Sequence, residues 1–194
     1  DVKVVLYDAN SVDSFVACYA ARRVLGEGAV YEGVDRSTAV EDLAVDVCGQ
    51  VVAMVGVCWS LESMHLLVQE LAWLFIVETY LSEARELEHF AYRNVVRILD
   101  CEMGAGALTW NLFSPREAVP PLLRALEDAE LGREALREAA AFADGFQAAL
   151  DLQTPRGELR ASDDAFQHLE ALLDLKGGGG GGGRASIARA VEEG

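Results

Sequence analysis

Positive charge is what this sequence has least of. Only 16 lysines and arginines stand against 32 aspartates and glutamates in 194 residues, a net charge of −16. A surface of that average sign repels DNA, RNA and anionic lipid, so non-specific nucleic-acid binding is not expected. An average still leaves room for a local basic patch. Histidine is scarce as well: His65, His89 and His168 are three isolated residues, each expected on the surface or in packing rather than as a ligand. The cysteines are Cys18, Cys48, Cys58 and Cys101. None forms a CxxC zinc pair, and they are too few for a disulfide scaffold of this length. Reduced thiols and an intracellular setting are therefore expected. Long hydrophobic runs are missing too: Val51–Trp59 and Leu71–Val77 are too short to span a bilayer. The chain opens at Asp1 without a signal-like segment, so targeting is not legible.

What is present suits one folded domain. The apolar fraction of 52% over this length can supply a sizeable core. Strand-like and helix-like patterns alternate in the first half. Val2–Tyr7 is a β-branched run that leads into a polar turn, Asp8–Ser14, and Val16–Leu25 reads as a helix closed by Gly26 and Gly28. Ala29–Val34, Val51–Val57, Leu74–Val77 and Asn94–Leu99 read as further strands. Val51–Val57 is apolar enough to be covered on both faces. Ser60 is a candidate N-cap for a helix from Leu61 to about Ala72, and Ser82–Phe90 is the next helix. The order predicts an α/β fold, a parallel sheet of about five strands flanked by helices. The second half reads as helical: Ala105–Phe113, Pro120–Glu130, Glu134–Leu150 and, behind Ser162, Asp163–Leu175. The expected organisation is a domain over 1–176, a poly-glycine linker over 177–183 and a short helical tail over 184–194.

Five segments in order carry a resemblance. They are Tyr7-Asp8-Ala9-Asn10-Ser11-Val12-Asp13-Ser14-Phe15, Val57-Cys58-Trp59-Ser60, Glu78-Thr79-Tyr80, Gly104-Ala105-Gly106-Ala107-Leu108-Thr109-Trp110 and Pro121-Leu122-Leu123-Arg124-Ala125-Leu126-Glu127-Asp128. The series resembles the oligoribonuclease-like branch of the DHH phosphoesterases, over roughly Val2 to Leu150. That resemblance implies hydrolysis of phosphodiesters or phosphoanhydrides at two divalent cations, usually manganese. Such a site needs carboxylates and imidazoles converging at the carboxyl ends of the strands. They hold two metals roughly 3.5–4 Å apart, so that one activates a bridging water while both stabilise the phosphoryl oxygens.

Matched residue by residue, those ligands are eroded. Asp8 stands where the family has histidine, and Asp13 matches a family aspartate. Cys58 replaces the aspartate of the second motif, a soft thiol where a hard cation needs oxygen. Glu78 replaces the first residue of the DHH motif, moving its carboxylate outward by a methylene, and Thr79 and Tyr80 replace both histidines. Asp128 matches the last family aspartate. A rewired site could assemble Asp8, Asp13, Glu78 and Asp128 around magnesium, manganese or calcium. Alternatively, Asp8 and Asp13 merely make turn and helix-start hydrogen bonds. The family's further substrate-gripping domain, with a GGGHxxAAG-type motif, is not found, because no histidine follows Gly183.

Two functions are weighed on this basis. In the first, the chain is a non-catalytic relative, a structural or interaction subunit with protein partners and no resident cofactor. Trp59, Trp73 and Tyr80 would then fill the former cleft, and the tail helix would dock elsewhere. In the second, it is a metal-dependent phosphoesterase acting on short oligonucleotides or nucleotides.

Overall fold

The computed structural model describes residues 1–133, 159 and 161–177. The expected helix at 134–150, most of the glycine run and the tail over 184–194 lie outside those residues. Five strands form: β1 (Val4–Asp8), β2 (Val30–Val34), β3 (Val51–Val55), β4 (Trp73–Glu78) and β5 (Val95–Leu99). All pair in parallel in the order β2-β1-β3-β4-β5, with Val4 level with Val30 and Val52, and Leu74 level with Val95. The helices described are α1 (Val12–Leu25), α2 (Leu61–Glu70), α3 (Leu81–Leu87), α4 (Ala105–Phe113), α5 (Pro121–Glu130) and α6 (Asp163–Gly177). None is long and apolar enough to cross a membrane.

Side chains alternate across the strands, and both faces are covered, so the central strands carry little polar character. Val5, Tyr7, Val55 and Val77 face one layer, which holds Phe15, Ala17, Leu108, Leu122 and Phe166 of α1, α4, α5 and α6. Val4, Leu6, Met54, Leu74 and Ile76 face the other, where Met64 and Leu67 of α2 and Leu87 of α3 close the core. Each large side chain fully enclosed in this way contributes about 1.5–3 kcal/mol. At the far end of the described chain, Phe166 stacks on Phe15 with centroids 5.4 Å apart. The Tyr7 hydroxyl donates to the Leu159 carbonyl at 2.9 Å and accepts the Ala161 N–H at 2.6 Å.

Helix starts follow local chemistry. The hydroxyls of Ser60 and Ser162 accept the N–H groups of Ser63 and Ala165, as N-caps do. Helix α1 begins four residues earlier than its apolar pattern suggests, because Ser11 accepts the Ser14 N–H and caps it. Asp13 and Ser14 then sit buried in its first turn rather than in a polar loop. Helix α6 runs to Gly177, the first residue of the glycine run.

Candidate functional site

β1 pairs with β2 on one side and β3 on the other, so connections diverge from its carboxyl end. Open α/β sheets place ligands at such a switch point. Asp8 ends β1, Glu78 ends β4, Cys58 lies just beyond β3, and Asp13 is in the first turn of α1. Asp8, Asp13, Cys58 and Glu78 therefore lie at the carboxyl end of the sheet. Their individual partners are another matter.

Asp13 is buried, and its two oxygens accept the N–H groups of Ala105 at 2.5 Å and Gly106 at 2.9 Å. These are the first two residues of α4, whose leading N–H groups have no partner within the helix. The glycines are what admit the carboxylate. A Cβ on Gly104 would stand 3.2 Å from either Asp13 oxygen, and one on Gly106 would stand 2.9 Å from Oδ1 and 2.8 Å from Val16 Cγ1. Burial raises the Asp13 pKa to about 6; the two N–H bonds oppose that rise, and the charges of Glu130 and Glu127 add to it.

Glu78 has no exposed surface and folds back on its own chain, with Oε1 accepting the N–H groups of Thr79 at 2.7 Å and Tyr80 at 2.9 Å. Its Oε2 is buried with no hydrogen-bond partner among the described residues. Burial lifts its pKa despite those two bonds, Glu83 adds to the rise, and Arg36 works against it. Burial first, then Glu78 and Glu83, also push the Cys58 thiol up to about 12, so it stays protonated; it donates to the Trp59 carbonyl at 3.4 Å. A protonated thiol is a poor nucleophile and a poor ligand.

Asp8 makes a turn, as the plainer reading expects: its Oδ1 accepts the Asn10 N–H at 2.9 Å, and its Oδ2 takes the Arg36 guanidinium at 3.3 Å. Arg36 also pairs with Glu83 and lies over the Tyr80 ring, 5.0 Å from its centroid. Tyr80 is half-buried and donates to Glu130; burial and that bond both raise its pKa. Thr79 is buried beside it. Asp128 faces Arg133 at 3.5 Å on the outer side of α5, whereas its neighbour Glu127 turns inward and accepts the Gly104 N–H at 3.0 Å.

The four carboxylates thus have four separate engagements. Among the described residues, no group of three or more His, Cys, Asp or Glu side chains is placed to hold a metal ion. A two-metal centre does not fit this donor set, because Asp13 is tied to a helix terminus, Glu78 to its own backbone, and Asp8 and Asp128 to arginines. Trp59 is buried beside the crevice, with its indole N–H on the Asp35 carbonyl at 3.2 Å. Trp73 was expected there too, but it begins β4, at the opposite end from Glu78, and is 45% exposed. His65 is exposed against Tyr92, with Nδ1 2.6 Å from its hydroxyl, and His89 and His168 are also exposed.

Arg36, Glu83, Glu127 and Glu130 take part here although none of them stands among the candidate site residues. Helical phase could have found two of them. Leu122, Leu123 and Leu126 mark the buried stripe of α5, which brings Glu127 and Glu130 alongside it and turns Asp128 away.

No family model matches the sequence, and no curated protein matches it either. Among solved structures, the fold is similar to that of an uncharacterized protein from Helicobacter pylori. The TM-score is 0.52 and the identity 10%, over 98% of this chain and 69% of that one. The class established at this point is a five-stranded parallel α/β fold with helices on both faces.

Proposed function

We propose that this chain is a non-catalytic relative of the DHH phosphoesterases, retained as a structural or interaction subunit within a larger assembly. One observation carries the reading: each carboxylate that could have held a catalytic cation is already bonded to a group of the protein itself. Among the described residues no histidine joins them in a group that could hold a metal, and the Cys58 thiol beyond β3 is held protonated by burial. Catalysis of phosphoryl hydrolysis rests on preorganised charge at the reacting centre. Among the described residues, the sole cation bonded to the strand-end carboxylates is Arg36, held between Asp8 and Glu83. Four free cysteines favour a reducing, intracellular compartment for the subunit.

The rewired phosphoesterase has one feature on its side, the orphan Oε2 of Glu78, which a cation could satisfy. The decisive assay incubates the full chain with short oligoribonucleotides, dinucleotides and nucleotide monophosphates in manganese or magnesium. No hydrolysis above buffer is expected, and manganese should leave the melting temperature unchanged. Turnover abolished by Asp13→Ala would overturn the proposal.

A further inference from the structure

We propose that the free edge of β5 is a docking strand for an acidic, extended segment of a partner protein, which joins the sheet as a sixth strand. This rests on reading the chain as an interaction protein, and not on its lack of catalysis. Among the described residues the sheet ends at β5. Its ladder to β4 is marked by the Leu74 N–H donating to the Asn94 carbonyl at 2.8 Å and the Asp100 N–H donating to Glu78 at 3.2 Å. With a period of two, Val96 and Ile98 bond inward, and Arg97 and Leu99 turn their N–H and C=O groups outward. Nothing among the described residues bonds to those outward groups. Val95, Val96, Ile98 and Leu99 are all only half-buried, so the apolar layers stay open along this margin. At the other margin, Tyr31 of β2 packs against Phe166.

Charge selects the occupant. The groove between α3 and β5 is lined by Ala84, Arg85, Glu88, Arg97 and Leu99. Among the described residues, Arg85 forms no ion pair with a carboxylate. Arg97 donates to the carbonyls of Leu87 and Glu88 and, among the described residues, to no acid, so its guanidinium lies back over α3 instead of blocking the edge. Two guanidiniums against one carboxylate make a locally positive groove on a chain of net charge −16. A second copy would bring Arg97 towards Arg97 and −16 against −16. A strand with acidic residues at alternate positions instead places them over Arg85 and Arg97, while its backbone completes the ladder.

The test titrates the full chain into a fluorescein-labelled peptide of alternating valine and glutamate and follows anisotropy. Saturable binding is expected. Arg85→Glu should weaken it by about tenfold or more, and a valine–lysine peptide should not bind. The Arg85 side chain is exposed and makes no bond among the described residues, so this variant should keep its fold, which far-ultraviolet circular dichroism verifies. A peptide N-methylated along its pairing edge should lose binding. No saturation up to about 1 mM, or equal binding of the N-methylated peptide, overturns the proposal. So does a dimer in sedimentation that Arg85→Glu dissolves, since the edge would then serve a second copy. Failure here leaves the hydrolysis result untouched, so the two readings fall separately.

Discussion

Replacing Asp13 by asparagine tests the central electrostatic feature of the crevice. In the unfolded chain this carboxyl titrates near 3.8, and in the fold at about 6. Between those values the native state holds more protons than the unfolded state, so the raised pKa favours folding at low pH. That contribution is fully present below pH 3.8 and is lost as pH rises through 6. Over the whole window the difference of about 2.2 pH units corresponds to about 3 kcal/mol. Within the practical range from pH 5 to pH 8, roughly 1–2 kcal/mol of it is lost. Asparagine keeps the size and one acceptor but cannot titrate, and groups remote from Asp13 cancel between the two proteins; Glu127 and Glu130, which feel its charge, do not cancel fully. Urea unfolding, followed by the fluorescence of Trp59, Trp73 and Trp110, should therefore show the wild type losing roughly 1–2 kcal/mol relative to Asp13→Asn between pH 5 and pH 8. A flat difference refutes the reasoning. A difference of opposite sign does so more strongly, because it means a folded-state pKa below 3.8, as a bound cation would produce.

Two further outcomes rest on packing and exposure. Gly106→Ala should cost about 1–3 kcal/mol in the same urea titrations, because its Cβ lands on Val16 and on the Asp13 carboxylate at once; a neutral result would mean that α4 does not seat against α1 as described. At pH 8, a colorimetric disulfide reagent should modify exposed Cys48 readily and leave Cys18 and Cys58 silent until urea is added, since burial pushes both their pKa values far above the assay pH; fast labelling of either in the native protein contradicts that burial.

The strands were legible because burial on both faces leaves a plain signal: β3 and β4 are almost wholly apolar, and turn residues stop them. Helix α4 was legible to the residue, over Ala105–Phe113. The start of α1 was not. Ser11, Asp13 and Ser14 look like a solvated turn in sequence, yet Asp13 and Ser14 are buried against partners far along the chain, at Ala105, Gly106 and Gly56. Long-range satisfaction of that kind leaves no local trace. The candidate site was legible in place but not in wiring. The motif order brings Asp8, Asp13, Cys58 and Glu78 to the strand ends, but no pattern announces that Glu78 bends back onto Thr79 and Tyr80, or that Arg36 arrives from the loop after β2. Asp128 was chosen by motif where the phase of α5 favoured Glu127.

The hydroxyl of Tyr7 meets Leu159 and Ala161 across more than 150 residues. During synthesis the first strand therefore leaves the ribosome long before the groups that satisfy it exist. Until Leu159, Phe166 and Leu169 emerge, the layer over Phe15 and Tyr19 has no roof, and a nascent chain stalled short of them exposes a sticky aromatic floor. Helix α6 is thus a keystone of this layer, and trimming upstream of Leu159 removes part of the core rather than an appendage.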